Sequence, residues 1–489
     1  MLNDGLMIQG TTSDAGKSIL VAGLCRVLYR QGIAVAPFKP QNMALNSAVT
    51  PCGGEIGRAQ ALQAAACHLP LSTDFNPVLL KPSSDQTSQV IIHGQAVSQL
   101  EASRFGSIKE LAFDKVLESY YRLQAQYDVV LVEGAGSPAE VNLRARDIAN
   151  MGFAEAVNCP VVLVSDIDRG GVFAHLVGTY DLLSKNEQAL TKGFIINKFR
   201  GALSLLQSGL DWLENYRQKP IFGVVPFIPE LKLEAEDAVA TEQNRGHRIV
   251  IKVPVFNRIS NHTDFDPLRW HPDVDLQFVA RGQPLTNADL IILPGSKNVR
   301  AEAKLLVEQG WDRDIKRHLR FGGKVVGICG GFQLLGQTIN DPDGVESSAG
   351  NSKGLELLAI DTVLKPQKQL KQVNGQFQLG SVSGSISGYE IHCGITDTTR
   401  ESNYFATIHD QNGTEYQDGV VSDCQQIIGT YLHGLFEHSA TLSAILSWVD
   451  GTSIVAQDWQ TIREQELDRL ADCLQTHLNI DALMALTAR

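Results

Sequence analysis

Residues 5–18 read GLMIQGTTSDAGKS and join an apolar run to a glycine-rich turn that ends in Lys17 and Ser18. The run Gly5–Gln9 predicts a buried strand, and the residues after the turn are helical in pattern. A turn of this kind points backbone N–H groups and the helix dipole at a phosphate. Lys17 can then reach the outer phosphates of a nucleotide, and the Ser18 hydroxyl suits Mg²⁺. We interpret the turn as a phosphate-binding loop; the alternative is a glycine-rich turn that binds nothing.

Apolar runs alternate with helical stretches on both sides of a polar segment, which predicts two doubly wound α/β domains with parallel sheets. We place the linker at Glu236–Arg248 and expect domains at 1–240 and 248–440, followed by a helical C-terminal extension at 441–489. The predicted strands are Gly5–Gln9, Val35–Pro37, Val129–Val132, Val161–Ser165, Phe194–Asn197, Ile249–Val253, Leu290–Leu293, Lys324–Gly327 and Gln426–Gly429, and the first two predicted helices are Lys17–Gln31 and Gly57–Cys67.

Composition narrows the class of protein. A net charge of −12 argues against a nucleic-acid partner, because phosphate backbones are normally bound by a basic face. The eight cysteines are scattered without a CxxC pair, which argues against a disulfide framework and favours a reducing compartment. We find neither a signal peptide nor an apolar run near the ~20 residues that a membrane helix needs. We therefore expect a cytoplasmic protein without membrane contact.

An acid and a lysine support the nucleotide site. Glu133 ends the apolar run 129–132 and is followed by a glycine-rich turn, so it is expected at the carboxyl edge of the sheet, where doubly wound folds bind ligands. It can serve as a second Mg²⁺ anchor, or it can cap the next helix. Lys39 follows the second predicted strand and can contact a phosphate or a carboxylate.

The loop resembles the dethiobiotin synthetase branch of P-loop proteins, although five residues rather than the standard four separate Gly10 from Gly16. In that branch, ATP phosphorylates a carboxylate, a lysine after the second strand assists, and acids hold Mg²⁺. The resemblance implies a metal site at Ser18 and Glu133, with Glu55 as a further candidate. It also implies ATP-binding residues Gly10, Thr11, Ser13, Gly16, Lys17, Ser18 and Lys39.

The second half carries a cysteine in a glycine-rich turn. Residues 322–336 read GGKVVGICGGFQLLG, in which a strand-like run ends at Cys329 and a helix begins soon afterwards. Such a turn displays a nucleophile, and the Gly330 N–H is placed to bind an oxyanion. Gly295, in another strand-end loop, is the candidate second donor. His433, just beyond a predicted strand, is the best base among the 12 histidines.

This half resembles the class I glutamine amidotransferases, which implies a flavodoxin-like domain in which Cys329 and His433 hydrolyse glutamine. Most members carry a glutamate two residues after the histidine, whereas this chain has Leu435. The site is therefore a cysteine–histidine dyad or takes its orienting acid from elsewhere; Glu437 is a nearby candidate. Glu390 and His392 are alternate residues on one face of a predicted strand. They line the glutamine pocket or a domain interface, or they belong to an ordinary half-exposed strand.

Together the halves resemble the cobyrinate amidases. The motifs that carry the resemblance are 76–82 (NPVLLKP), 166–174 (DIDRGGVFA), 388–392 (GYEIH) and 431–436 (YLHGLF). They are similar to members that amidate the b, d, e and g carboxylates of adenosylcobyrinic acid a,c-diamide with one ATP and one glutamine each time. We expect these small molecules and Mg²⁺ as partners, and a homo-oligomer stays open.

Three charged residues near the predicted ATP site are candidates for placing that substrate, or are ordinary surface ion-pair residues: Asp147, Asp166 and Arg169. Two rival functions remain at this point. One is another ligase that uses ATP and glutamine, such as an a,c-diamide synthase or a cell-wall amidating enzyme. The other is a regulatory P-loop ATPase that carries an inactive amidotransferase module.

Overall fold

The computed structural model describes residues 5–82, 87–101, 109–144, 147–234, 248–346, 348–398 and 403–487. They form two compact units. The first comprises residues 1–44, 54–233 and 463–489, and the second comprises residues 45–53 and 234–462. The division therefore differs from the linear domains expected at 1–240, 248–440 and 441–489. Most of the predicted linker Glu236–Arg248 lies outside the described residues.

The helices, in chain order, are α1 Lys17–Arg30, α2 Arg58–Ala66, α3 Lys109–Gln126, α4 Met151–Val157, α5 Val172–Leu182, α6 Lys185–Leu190, α7 Leu203–Arg217, α8 Asp266–Arg269, α9 Val299–Gln309, α10 Trp311–Arg320, α11 Gly330–Leu334, α12 Ser439–Asp450, α13 Trp459–His477 and α14 Ile480–Ala485. The strands are β1 Gly5–Gly10, β2 Val35–Phe38, β3 Gln41–Met43, β4 Ser47–Val49, β5 Glu55–Gly57, β6 Val78–Pro82, β7 Thr87–Ile92, β8 Gln95–Glu101, β9 Val129–Glu133, β10 Val161–Asp166, β11 Thr191–Phe199, β12 Ile221–Pro226, β13 Ile249–Pro254, β14 Ile259–Ser260, β15 Val274–Val279, β16 Leu290–Leu293, β17 Gly295–Ser296, β18 Lys324–Ile328, β19 Thr338–Asp341, β20 Gly350–Lys353, β21 Ile360–Leu379, β22 Val382–Thr398, β23 Ala406–Asp410, β24 Glu415–Asp418, β25 Val420–Val421 and β26 Ile427–Thr430.

A parallel sheet in the order β12-β11-β10-β1-β9-β2 forms the centre of the first unit. Its middle strands are buried along their whole length, as expected for strands covered on both faces. Because β1 and β9 are parallel neighbours, the loop after β1 and the end of β9 lie at the same carboxyl edge, where the chain continues to β10 on the other side of β1. Doubly wound folds bind ligands at this edge.

Helix α13, the second helix from the C-terminal end of the described residues, packs on α1 in the first unit. Gly23 of α1 meets Leu470 and Leu474 so closely that an added Cβ would lie 2.5 Å from a Leu474 methyl group. Arg26, which is buried, also pairs with Glu464. The helix that begins at Lys17 is therefore supported by a segment more than 400 residues further along the chain.

The second unit has a sheet in the order β15-β13-β16-β18-β26-β25, which is parallel except for β25. A further sheet is built on the long antiparallel hairpin of β21 and β22. The α/β class expected from sequence is confirmed in both units. The sequence did not predict the hairpin, and β22 carries residues that contact the candidate glutaminase site.

Candidate active sites

The phosphate loop has the strand–turn–helix structure that the sequence predicts. Gly16 has φ of +91°, a left-handed conformation that favours glycine, and it lies directly before α1. Lys17 is buried, and its Nζ donates to the carbonyl oxygens of Thr12, Ser13 and Gly136 at 3.1–3.2 Å. Lys17 therefore lies over the mouth of the loop, where the motif requires it.

Glu133 is fully buried and is the centre of a polar cluster at the carboxyl edge of the sheet. Its Oε1 accepts from Ser18 Oγ at 2.6 Å and from Lys39 Nζ at 2.9 Å, and its Oε2 accepts from Gln63 Nε2 at 2.6 Å. Burial acts to raise the pKa of Glu133, but Lys39, Ser18 and Lys17 outweigh it and lower the pKa below the ordinary value. The carboxylate is therefore ionised. The structure thus brings together four predicted residues, while Gln63 was not predicted.

The remaining candidates of this unit have other partners. Glu55 accepts from Lys81 Nζ at 2.5 Å in a buried ion pair. Asp147 accepts from the backbone N–H groups of residues 149, 150 and 152, and so caps the start of α4. Asp166 pairs with Lys198 at 2.8 Å, and the exposed Arg169 pairs with Asp14 at 2.8 Å. Their assignment to metal or substrate binding stays a prediction.

Cys329 lies in a strained turn between β18 and α11. Its φ and ψ are 53° and −108°, a combination that costs a non-glycine residue about 1–3 kcal/mol. Glycine is required beside it, because a Cβ on Gly331 would lie 2.0 Å from the carbonyl oxygen of Leu293. The Cys329 Sγ is 3.6 Å from the carbonyl oxygen of Ile391. This turn has the geometry of a nucleophile elbow.

His433 is buried, and Asp264 orients it. His433 Nδ1 donates to Asp264 Oδ2 at 2.6 Å, and the Gly434 N–H donates to Asp264 Oδ1 at 3.2 Å. Burial acts to lower the pKa of His433, but Asp264 and Cys329 outweigh it and raise the pKa to about 10. His433 is therefore an imidazolium near neutral pH. Its Nε2 is buried without a hydrogen-bond partner among the described residues.

Asp264 is the functional residue that the sequence did not reveal. Glu437 was the candidate for orienting His433, but the structure gives this role to Asp264, which is 169 residues earlier in the chain. Asp264 lies in the one-turn 3-10 helix His262–Phe265, between β14 and α8. In the sequence, Asp264 is recognisable only as an acid within the polar stretch 261–266, and it is the fold that places it beside His433.

Both predicted oxyanion donors lie at the elbow. Gly330 is the first residue of α11, and a Cβ on it would be 2.9 Å from the Ser296 nitrogen. A Cβ on Gly295 would be 3.3 Å from His433 Cε1. The loop after β16 therefore contacts the N-terminus of α11 on one side and His433 on the other. Oxyanion binding by these groups stays a prediction.

The motif 388–392 lies along β22 against His433. A Cβ on Gly388 would lie 2.1 Å from the His433 carbonyl oxygen, so glycine is required at this position. The Tyr389 ring stacks on the His433 ring at a centroid distance of 5.3 Å. Glu390 accepts from Tyr416 at 2.7 Å, and burial with the charge of Asp418 raises the pKa of Glu390 to about 7.

His392 lies on the same strand and stacks on Tyr431 at 3.7 Å between ring centroids. Its Nδ1 donates to the carbonyl oxygen of Gly394 at 2.7 Å, and burial lowers its pKa to about 3. His392 is therefore neutral. The intervening carbonyl of Ile391 contacts Cys329, which places the strand at the glutaminase site. Glutamine binding by Glu390 or His392 stays a prediction.

Comparison with known proteins supports a chain made of a nucleotide-binding part and a glutamine amidotransferase part. Residues 6–239 match the CobQ/CobB/MinD/ParA nucleotide binding domain, and residues 250–441 match the CobB/CobQ-like glutamine amidotransferase domain. Fold and site thus define a glutamine-hydrolysing carbon–nitrogen ligase. Cobyric acid synthase of Vibrio parahaemolyticus serotype O3:K6 (strain RIMD 2210633) is 54% identical over 480 residues, which cover 98% of each chain. The chain belongs to the cobyric acid synthase family.

Two solved structures have low overall similarity. PurLQS from Thermotoga maritima has a TM-score of 0.30 and 14% identity over 46% of this chain and 99% of that chain. A glutamine amidotransferase crystal structure has a TM-score of 0.31 and 14% identity over 41% of this chain and 99% of that chain. Among helices of the described residues, none has the length and hydropathy of a membrane span.

Proposed function

We propose that this chain amidates the b, d, e and g carboxylates of adenosylcobyrinic acid a,c-diamide, with ATP and glutamine as co-substrates. The observation that carries the proposal is the 54% identity to a cobyric acid synthase over 98% of the chain. The Cys329–His433–Asp264 arrangement and the phosphate loop supply the two chemical functions that this reaction needs.

In the glutaminase half, the Cys329 thiolate attacks the glutamine amide, and Gly330 with Gly295 binds the oxyanion. The His433 imidazolium gives its Nε2 proton to the leaving ammonia, while Asp264 holds Nδ1. Water then hydrolyses the thioester, with His433 accepting a proton. The strained elbow keeps the thiol at the end of β18 throughout the cycle.

In the other half, a substrate carboxylate attacks the γ-phosphorus of ATP, which forms an acyl phosphate and releases ADP as the bond to the bridging oxygen breaks. Lys17 and Lys39 neutralise charge on the transferred group. Ammonia then displaces phosphate and gives the amide. Glu133 remains an anion because Lys39 and Ser18 stabilise its charge.

Ser18 and Glu133 fit a Mg²⁺ ion. Both are oxygen donors, and Ser18 Oγ lies 2.6 Å from Glu133 Oε1, so one hard cation can contact both. Within the described ranges, no three or more His, Cys, Asp or Glu side chains form a metal cluster. Mg²⁺ does not need one, since it typically takes one or two protein carboxylates with water and substrate phosphates. When bound, the ion would neutralise charge on the phosphates.

Mass spectrometry of the products tests the proposed function. Full-length protein with ATP, Mg²⁺, glutamine and adenosylcobyrinic acid a,c-diamide should convert four carboxylates to amides. Cys329→Ser should lose glutamine-dependent amidation and keep amidation from ammonium. If only cobyrinic acid itself is amidated, and at two positions, the chain is an a,c-diamide synthase. If no acid is amidated while ATP is still hydrolysed, the ligase assignment to this substrate fails.

A further inference from the structure

The segment Leu45–Gly53 belongs to the glutaminase unit, although it lies in sequence between Lys39 and Glu55 of the nucleotide-binding unit. Residues 46–50 of this segment are buried, whereas Pro51 and Cys52 are exposed. Asn46 is 2% exposed and Ser47 is fully buried. The polar groups that this segment buries need hydrogen-bond partners in the surrounding core.

Those partners are the residues that begin the turn carrying Asp264. Asn46 Oδ1 accepts from the His262 N–H at 3.0 Å, and Asn46 Nδ2 donates to His262 Nε2 at 2.9 Å. The Ser47 N–H donates to Asn261 Oδ1 at 3.2 Å. Asn261 has φ of +53°, a left-handed conformation, and its carbonyl accepts from the Asp264 N–H at 3.0 Å. The segment Leu45–Gly53 therefore holds the start of the His262–Phe265 turn, which carries Asp264.

A second series of contacts connects the segment Leu45–Gly53 with His433. Asn261 Nδ2 donates to the Tyr389 hydroxyl at 3.1 Å, and the Tyr389 ring stacks on His433. Val49, two residues after Ser47, packs in one apolar cluster with Tyr389 and Ile391. Both groups that fix the imidazole, the Asp264 carboxylate and the Tyr389 ring, are thus connected to Leu45–Gly53.

Resting on the glutaminase mechanism proposed above, we propose that Asn46 is a positioning residue of the glutaminase. It acts by holding the His262–Phe265 turn so that Asp264 meets His433. In this role Asn46 acts through His262 rather than on the reacting atoms. A small displacement of a supporting group can lower turnover about 100-fold, since the hydrogen bond it supports has a narrow geometric range.

Full-length Asn46→Ala tests this role. We expect the glutamine-dependent kcat to fall about 10- to 100-fold with a KM for glutamine within about twofold of wild type. Ammonium-dependent amidation with the same ATP and acceptor should stay within about twofold, because it bypasses Cys329. The basic limb of the pH–rate profile for glutamine hydrolysis should move to lower pH. Gln372→Ala is the matched control: it removes a 2.8 Å bond to the Val49 carbonyl of the same segment but leaves the turn alone, and should stay near wild type.

A double-mutant cycle separates positioning from simple destabilisation. If Asn46 acts through Asp264, Asn46→Ala should have little further effect in an Asp264→Asn background. Multiplicative losses in the double variant would overturn the inference. So would an unchanged rate and pH profile for Asn46→Ala. Equal losses of glutamine- and ammonium-dependent turnover with a lower Tm would make Asn46 a folding residue, and would likewise overturn it.

Discussion

Replacing Asp264 with asparagine removes the charge that orients His433 and leaves the side-chain volume unchanged. Asp264 and Cys329 together raise the pKa of His433 from 6.5 to about 10. At about 1.4 kcal/mol per pH unit, this interval corresponds to about 5 kcal/mol. Because the imidazolium is present before the reaction begins, losing part of this stabilisation shifts the pH dependence rather than kcat at neutral pH. The loss of kcat comes from orientation: an asparagine amide favours the wrong imidazole tautomer, and we expect kcat to fall about 100-fold to as much as about 10⁴-fold.

The assay is glutamate release from glutamine, measured across pH beside ammonium-dependent amidation. We expect the basic limb of the glutaminase profile to move to lower pH, because the pKa of His433 falls without the carboxylate. Ammonium-dependent amidation should be unaffected. Asp266→Asn is the matched control, since Asp266 is a buried acid just after the turn that pairs with Arg269 at 2.8 Å. Retention of more than about a third of the wild-type kcat by Asp264→Asn, with an unmoved basic limb, would refute the orienting role.

Three further substitutions are informative. Gly388→Ala places a Cβ 2.1 Å from the His433 carbonyl oxygen, so glutamine-dependent turnover should fall at least ~10-fold while ammonium-dependent turnover persists; unchanged glutaminase kinetics would contradict the packing argument. Lys39→Met leaves the buried charge of Glu133 without its lysine, so urea unfolding should show a loss of about 3 kcal/mol and amidation from either nitrogen source should cease. Glu390→Gln should raise Tm at pH 8 but not at pH 4. The pKa of Glu390 is about 7 when folded against 4.5, so the wild-type protein loses stability as pH rises through that interval. Equal Tm changes at both pH values would contradict this sign.

Local sequence patterns predicted much of the fold because buried parallel strands are short, continuous apolar runs. The predicted strand Leu290–Leu293 has the same bounds in the structure, and the predicted helix Lys17–Gln31 is one residue longer than α1. The β21–β22 hairpin was not predicted, because its strands carry many polar residues on exposed faces and do not form apolar runs. The assignment of residues 45–53 to the second unit was not predicted, because no change in composition marks these nine residues.

The site was predictable wherever its chemistry lies in one short motif. Lys17 and Ser18 belong to the phosphate loop, and Cys329 lies in a turn with Gly327, Gly330 and Gly331, where added Cβ atoms would lie only 2.0–2.9 Å from neighbouring atoms. Asp264 was not predictable, since its partner is 169 residues away and its hydrogen bond exists only through the fold. Gln63 was missed for the same reason: it is an ordinary polar residue of α2 until the sheet edge places Glu133 beside it.

Residue 435 is the position at which most class I glutamine amidotransferases carry the glutamate that orients the histidine. Its surroundings in this chain explain why Asp264 takes that place. Leu435 is fully buried in the apolar core of the glutaminase unit. A glutamate at 435 would be a carboxyl group among apolar neighbours, where it would take up a proton rather than ionise. We therefore expect Leu435→Glu to lower the free energy of unfolding by several kcal/mol and not to rescue Asp264→Asn, whereas Leu435→Met should be tolerated. Restored glutamine hydrolysis in the Asp264→Asn, Leu435→Glu double variant would show that the loop can still present its own acid, and that Asp264 is not required by the packing around His433.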